Sequence, residues 1–442
     1  MLPSEYRTLL KGDRAMPSLL LAQLPPEQDC PGVTAILDRL RDSELEWARH
    51  RLAHRRSVPE ARWELEIELQ PAAGPRRELR LWAVPSEAVA AFHLDWAEAA
   101  PEERRASEHS RWSLGLSLRF GDRPLADFHL QLQLLRAVAP DAPVVVDATA
   151  CRAHTAAWLQ EASDSPVPPP PAALFALHQV QPEPDRPGGC WLHSHGLVRC
   201  GLPEIEMLDV DATACAGCAT LLEAVAGLFL DHEVPDPATP FQPGSGLELV
   251  WLPWEQGLAH LRRRRLGGLA DRDEHHALPA AVLFAPQRRW LLRRLASPAI
   301  YAPLLDGDPL LYVSDMETER MAALARQRLD RFAAIFDRNG GARDWVFLVK
   351  LGYPVDRARS EADREHLWFR VHHLAGHRCE ATLLNQPYAI AAMHEGERAE
   401  HDLALLTDWQ ILCPHGRYSA DTVIHLDRRL AAEPVKGRTG GD

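Results

Sequence analysis

The sequence predicts an α+β protein with several domains, in which helices cover antiparallel sheets and a small strand-rich domain ends the chain. The length supports several domains, because 442 residues correspond to roughly three domains of about 150 residues each. A hydrophobic content of 46% is enough to bury more than one core. Alternating apolar and polar residues, which indicate half-buried strands, occur in pairs of segments with a helix-like segment between the pairs.

The first predicted domain, residues 1–164, contains two such pairs. Residues 63–69 and 79–84 alternate on either side of a Gly-Pro turn, which predicts a hairpin with one buried face. Residues 112–120 and 128–134 alternate in the same way and predict a second pair of antiparallel strands. The remaining predicted elements are a helix over residues 87–105, a strand over 143–147 and a helix over 149–161.

A proline-rich segment, residues 165–171, has five prolines in seven residues and predicts a domain boundary. The middle domain, residues 172–340, follows it. Its predicted elements are strands over residues 174–180, 191–195, 204–210 and 247–252, a helix over 215–230 and a long helix over 317–336. The C-terminal domain, residues 345–430, is predicted to consist mainly of strands.

The composition bears on partners and compartment. A net charge of −13 counts against a nucleic-acid or anionic membrane partner, because phosphate binding needs clustered positive charge. The first residues lack the uninterrupted apolar stretch of a secretory signal, and the eight cysteines are spread thinly, as in proteins with reduced thiols. We therefore expect a cytoplasmic protein. Sequence motifs of phosphate-binding loops, nucleophile elbows, zinc proteases and dinucleotide sites are absent, so we predict no cofactor.

Four segments near the C-terminus are similar to a known family. They are residues 365–371 (Glu-His-Leu-Trp-Phe-Arg-Val), 384–387 (Leu-Asn-Gln-Pro), 394–397 (His-Glu-Gly-Glu) and 406–409 (Leu-Thr-Asp-Trp). In this order they resemble the bacterial YegJ-like domain of unknown function, family 2314, over about the last quarter of the chain. Residues 190–206 resemble a second uncharacterised bacterial family, domain-of-unknown-function family 4026. These resemblances imply a domain arrangement and no catalytic residue.

Two histidines on a predicted strand form the first candidate site. His193 and His195 are two residues apart, so their side chains share a face, where imidazoles can bind a metal ion or relay a proton. Glu204 and Glu206 are close in sequence, and we expect them to converge with the histidines on one concave surface. Cys200 is a further candidate metal ligand. The alternative is a purely structural hairpin, since no third ligand with diagnostic spacing follows.

A second candidate is Cys215-Ala-Gly-Cys218, a Cys-x-x-Cys motif at the start of a predicted helix. A helix N-terminus lowers the pKa of a thiol, so the pair could serve redox chemistry or bind metal. The alternative, two small buried cysteines among alanines, fits the lack of the aromatic residue and proline that usually accompany the redox motif.

The family-like segments supply the last candidates, Asn385, Asp408 and Trp409. They are interpreted either as structural residues of loops and strand ends or as part of a ligand groove. Because no catalytic constellation is found, we predict a non-catalytic binding protein whose partner is a protein or a small molecule. The alternatives are a metal-dependent enzyme or metal-binding protein that uses His193 and His195, and a thiol redox protein that uses Cys215 and Cys218.

Overall fold

The computed structural model describes residues 3–11, 16–43, 45, 47–53, 56–70, 76–89, 101–183, 188–261, 266–272, 276, 278–289, 292–307, 311–312, 315–360 and 363–432. The chain divides into two compact units, Met1–Ser314 and Asp315–Asp442. Each unit combines helices with sheets, and the C-terminal unit has a strand-rich sheet, which confirms the predicted multi-domain α+β class.

The first sheet of the N-terminal unit is wholly antiparallel in the residues described. Its strands are β1 (Ser18–Gln23), β2 (Trp47–Leu52), β3 (Trp63–Leu69), β4 (Arg77–Pro85), β5 (Trp112–Leu118), β6 (Val144–Asp147) and β7 (Arg152–Thr155). They pair in the order β2-β3-β4-β5-β1-β6-β7. The helices of this part are α1 (Ser4–Leu10), α2 (Val33–Asp42), α3 (Pro101–His109), α4 (Pro124–Val138) and α5 (Ala156–Asp164). The predicted hairpin over residues 63–69 and 79–84 is confirmed as β3 and β4, but it is not buried on one face alone, because Glu64 and Glu68 on the second face of β3 are also buried.

The second sheet is mixed. Its strands are β8 (Ala176–Val180), β9 (Cys190–His195), β10 (Glu204–Val210), β11 (Phe241–Gly244), β12 (Leu247–Pro253), β13 (Ala280–Arg289) and β14 (Leu292–Ala296). The order is β11-β12-β13-β10-β9-β8, with β14 on β13, and β10 runs parallel to β13. A parallel pair needs a long crossover, which here contains α6 (Cys215–Asp231). Two short helices, α7 (Trp254–Gly257) and α8 (Ala302–Leu305), complete the unit's described helices.

Helix α6 is the predicted helix over residues 215–230. The stretch Ala212–Asp231 is, among the described residues, the one helix with the length and apolar composition of a membrane span. Core helices of soluble proteins pass the same test, and half of this stretch is buried. Leu222 and Phe229 of α6 lie in the same hydrophobic core as the second sheet's Ile205 and Leu249.

One hydrophobic core crosses the proline-rich segment. It contains Leu116 of β5 and Phe128 of α4 together with Ile205 of β10 and Leu222 of α6. Residues 1–164 and 172–314 therefore share buried packing. Independent folding of residues 1–164, 172–340 and 345–430 as three domains stays a prediction.

The C-terminal unit is built on one antiparallel sheet. Its strands are β15 (Val346–Pro354), β16 (Arg364–Ala375), β17 (Arg378–Leu383), β18 (Arg398–Asp402), β19 (Leu406–Cys413) and β20 (Gly416–Ser419). They pair in the order β18-β17-β16-β15-β19-β20. Its described helices are α9 (Asp315–Gln327), α10 (Leu329–Asn339) and α11 (Val423–Ala432). Phe332 of α10 and Trp409 of β19 meet in the core, with ring centroids 5.0 Å apart.

The predicted strand over residues 128–134 is wrong, because this segment lies inside α4. The helix begins with Pro124, a residue favoured in a first helical turn. Apolar and polar residues alternate here because buried polar side chains interrupt the helical pattern. Gln131 is fully buried and donates hydrogen bonds to the carbonyls of Ser18 and Leu116.

Two predicted helices also differ from the structure. Residues 149–161 contain strand β7 before α5 begins. Residues 317–336 form α9 and α10, which are separate helices because Arg328 between them lies in a non-helical position, where it donates to the carbonyls of Ala420 and Asp421. The predicted helix over residues 87–105 falls largely outside the described residues.

Candidate metal site

One face of the second sheet carries a group of polar side chains on three neighbouring strands. His193 of β9 is directly opposite His178 of β8 and opposite Glu206 of β10. Residues opposite each other in antiparallel strands share a face, as do residues two apart on one strand, which adds His195. The sheet backbone therefore fixes the spacing of these side chains.

The three imidazoles are close enough to converge on one ion. One ligand nitrogen from each of His178, His193 and His195 lies within 4.8 Å of the other two. The ring centroid of His195 lies 4.9 Å from that of His178 and also 4.9 Å from that of His193. Two nitrogens bound to one tetrahedral zinc ion lie about 3.3 Å apart, because each Zn–N bond is about 2.0–2.1 Å long. Side-chain rotations that move the nitrogens by about 1 Å would close the site around such an ion.

A fourth histidine, His276, contacts this group from a distant part of the chain. Its Nε2 lies 3.2 Å from Nε2 of His193, and its ring centroid lies 5.1 Å from that of His195. Trp191 packs against both His193 and His276, with ring centroids 4.2 and 4.7 Å away.

Burial sets the protonation state of His193, whose exposed fraction is 3%. Burial lowers the pKa of this imidazole well below its usual range, and the positive charges of neighbouring histidines would lower it further. Neutral imidazole is the form that binds metal ions. No hydrogen bond to its Nδ1 is found within the described part of the chain.

Glu206 lies beside the histidines but is held by a buried ion pair. Arg272 donates from Nη1 and Nη2 to the two carboxylate oxygens at 2.9 and 2.6 Å, and both side chains are 3% exposed. The indole of Trp191 donates to the same carboxylate at 3.2 Å. The guanidinium also lies over the rings of Trp191 and Trp254, at 5.3 and 4.6 Å. Glu206 is therefore a buried acceptor that holds Arg272.

Glu204 takes part in the turn that follows β9. Its carboxylate accepts a hydrogen bond from the hydroxyl of Ser194 and from the backbone N–H groups of Gly196 and Val198, the latter two at 2.8 and 3.3 Å. Burial raises the pKa of Glu204, and these hydrogen bonds oppose that shift. The described contacts of Glu204 thus position the end of β9.

The three candidate cysteines lie where burial keeps their thiols protonated. Cys200 follows Arg199 in the turn, and burial raises the pKa of its thiol to about 12. Cys215 and Cys218 are buried in the first turn of α6, and burial raises their pKa values to about 12 and about 11. Burial outweighs the helix N-terminus at these thiols, which makes the reactive thiolate scarce near neutral pH.

Asn385, Asp408 and Trp409 belong to the C-terminal unit. Asn385 accepts a hydrogen bond from the backbone of Trp368, and the indole of Trp409 donates to the carbonyl of Ala325 at 2.9 Å. Asp408 is buried, and burial raises its pKa to about 6. Trp409 is a core residue, whereas Asp408 is a buried carboxyl group next to it.

Sequence reasoning found two of the four histidines. His178 was missed because only the register between β8 and β9 places it beside His193. His276 was missed because it lies 83 residues from its contact in the chain. Its place in an His-His pair, His275 and His276, was the one signal available in the sequence.

Three family matches together cover most of the helices and strands of this chain. The N-terminal model described as a protein of unknown function (DUF4026) matches residues 79–169, and its C-terminal counterpart matches residues 177–284. A third match, to an uncharacterized protein conserved in bacteria (DUF2314), covers residues 319–437. The chain therefore carries both DUF4026 domains followed by a DUF2314 domain. The four histidines and the Arg272–Glu206 pair all lie within the C-terminal DUF4026 match. Comparison with curated proteins and with solved structures gives no match.

Proposed function

We propose that this protein binds one transition-metal ion, most readily zinc, through His178, His193 and His195 of the C-terminal DUF4026 domain. The observation that carries the proposal is the convergence of three imidazole nitrogens within 4.8 Å of one another on adjacent strands. Imidazole is a preferred ligand of zinc, copper and nickel ions and a poor one for magnesium and calcium.

The surroundings of the histidines support binding. The sheet holds two of the three ligands on one strand and the third directly opposite, so little side-chain freedom remains to be lost when an ion binds. Glu206 is neutralised by Arg272, which leaves the imidazoles as the donors of this group. A partly buried ligand set of this kind favours retention of the ion against exchange with water.

The metal ion serves here as the small ligand of a binding protein. Ligands that bind only the folded state stabilise it, and zinc at one hundred times its Kd would raise the free energy of unfolding by about 2.7 kcal/mol. We propose that the ion links β8 to β9 and so couples metal supply to the stability of this domain. Cytoplasmic location and a lack of nucleic-acid or membrane partners remain parts of the proposal.

The test is the metal content of the full chain, purified without a histidine tag and dialysed after loading with zinc. We expect about one zinc ion per chain by elemental analysis. A His193→Ala/His195→Ala double variant should hold none. The matched control is His372→Ala/His373→Ala, which removes two exposed histidines of the C-terminal unit and should leave the content unchanged. A wild-type chain that retains no zinc after this loading, and no copper, nickel or cobalt when it is loaded with one of those ions instead, would refute the proposal.

A further inference from the structure

We propose that His276 is the fourth ligand of the metal ion and that the Arg272–Glu206 pair positions it, which makes the site a closed tetrahedral one. This inference rests on the proposed function, since it requires an ion at His178, His193 and His195. All three residues lie outside that triad: His276 would be a ligand, and Arg272 and Glu206 would hold it in position.

The distance between His276 and His193 fits two ligands of one ion. Their Nε2 atoms are 3.2 Å apart, and two nitrogens on a tetrahedral zinc ion are separated by about 3.3 Å. The ring centroids of His276 and His195 are 5.1 Å apart, close to the 4.9 Å between His193 and His195. His276 therefore meets His193 and His195 of β9 at the spacing that these two keep between themselves, and a rotation of its side chain would bring its ring nitrogen to the ion that His178 shares with them.

Arg272 connects His276 to the sheet. Its guanidinium is held by Glu206, which lies directly opposite His193 across β9 and β10. The same Nη1 lies 3.5 Å from the carbonyl oxygen of His276. Strand β10, which pairs with the strand of His193, therefore also anchors the backbone of His276 through Glu206 and Arg272. The indoles of Trp191 and Trp254 hold the guanidinium of Arg272 in place. Arg272 and Glu206 touch no proposed ion and act as positioning residues.

The number of protein ligands decides what such a site does. Zinc sites with four protein ligands are generally structural, whereas catalytic sites keep one position for water or substrate. A fourth imidazole from His276 would fill that position. An ion held in this way has a structural or regulatory role, in which it ties residue 276 to strands β8 and β9.

The experiment uses Co²⁺ as a zinc substitute in the untagged full chain, because tetrahedral Co²⁺ absorbs visible light much more strongly than five- or six-coordinate Co²⁺. We expect the wild type to bind one Co²⁺ ion with a strong visible band. The His276→Ala variant should still bind Co²⁺, at least about tenfold more weakly and with a weaker, shifted band. Free imidazole should restore the band in this variant, because it fills the vacated position.

Positioning residues give a different result from a ligand. Arg272→Lys should weaken Co²⁺ binding by about 10–100-fold while the band keeps its shape, since a lysine cannot reproduce the two-pronged contact with Glu206. Arg41→Lys, in an exposed ion pair with Asp38, is the matched control and should leave binding unchanged. If His276→Ala does not fold, as judged by circular dichroism, His276→Gln replaces it.

The outcomes separate this inference from the proposed function. A wild-type chain that binds neither Co²⁺ nor Zn²⁺ overturns both. A wild type that binds Co²⁺, with His276 variants of unchanged affinity and spectrum and no response to imidazole, overturns only the role of His276. Arg272→Lys with unchanged affinity overturns the positioning role.

Discussion

His193 is the residue on which the candidate site centres, because it contacts each of the other parts. Its ring lies against those of His178, His195, His276 and Trp191. A buried polar atom without a hydrogen bond costs roughly 1–3 kcal/mol, and Nδ1 of His193 is such an atom among the described residues. The unpaired imidazole nitrogen of His193 therefore lowers the stability of the fold. In return, this side chain supplies a ligand for a metal ion.

At the same scale, the two cysteines of α6 should react slowly. Burial raises the pKa values of Cys215 and Cys218 to about 12 and about 11, so few thiolates form near pH 7. We expect an alkylating reagent to modify them in the folded chain far more slowly than in the chain unfolded by denaturant, with peptide mass spectrometry as the readout. Rapid alkylation of either residue in the folded state would favour the thiol redox alternative.

Asp408 provides a pH-dependent prediction. Burial raises its pKa to about 6, above the value of about 3.9 in an unfolded chain. The folded state then binds the proton more tightly, so the free energy of unfolding falls as pH rises from about 4 to about 6. At pH 7 the charged carboxylate costs on the order of 1–3 kcal/mol.

The variant Asp408→Asn should remove this cost. We expect a higher melting temperature at pH 7 and a smaller change in stability between about pH 4 and pH 6. Asp337→Asn, on the exposed side of α10, is the matched control and should behave as the wild type. Equal pH profiles for wild type and Asp408→Asn would contradict the buried, proton-binding state of this carboxyl group.

At the scale of elements, strand β9 and the turn after it present the histidines. Gly196 follows His195 with a φ of +119°, and a Cβ there would lie 2.5 Å from the carbonyl oxygen of Leu174. Its N–H also donates to Glu204. Both the backbone conformation and the close contact require glycine.

We therefore expect Gly196→Ala to lower the free energy of unfolding by roughly 1–3 kcal/mol, measured by urea denaturation. Gly227→Ala is the matched control, because this glycine lies inside α6 with open space around the position of a Cβ. An alanine there should stabilise by about 0.5–1 kcal/mol. Equal stability of the two variants would contradict a requirement for glycine at position 196.

The predicted elements show which local patterns are reliable. Strands β8, β9 and β10 and helix α6 follow from apolar runs with clear ends, and the same-face placement of His193 and His195 follows from their spacing alone. Helix α4 could not be predicted, since buried Gln131 hydrogen-bonds to the sheet and disguises the helical period. The positions of His178 and His276 depend on strand register and on packing between distant segments, which residue spacing does not encode.

At the scale of the molecule, buried charge connects segments on both sides of the proline-rich stretch. Arg199 and Asp147 form an ion pair at 2.8 Å, and both side chains are fully buried. The guanidinium also donates to the carbonyl of Leu174 and lies over the ring of Phe128. A proline-rich sequence predicts an extended connector, and it says nothing about whether the segments it joins pack against each other afterwards.

Removal of one partner of this pair should be costly. We expect Asp147→Asn to lower the free energy of unfolding by about 3–5 kcal/mol, because it leaves the charge of Arg199 buried and uncompensated. Asp38→Asn, which breaks the exposed pair with Arg41, is the control and should change stability by less than about 1 kcal/mol. The free energies of unfolding are measured by urea denaturation. Comparable losses in the two variants would contradict a large contribution of burial to the effect of the Arg199–Asp147 pair.

The most direct test of the metal site is X-ray absorption at the zinc edge of the untagged full chain loaded with one equivalent of zinc. We predict a first shell of light neighbours, nitrogen with at most one oxygen, at about 2.0–2.1 Å, with the outer-shell scattering of at least three imidazole rings. A sulfur neighbour at about 2.3 Å would place the ion on a cysteine such as Cys200, and a first shell without the outer-shell scattering of imidazole would place it on carboxylates or water. Either result would contradict a zinc ion held by the histidines of the second sheet.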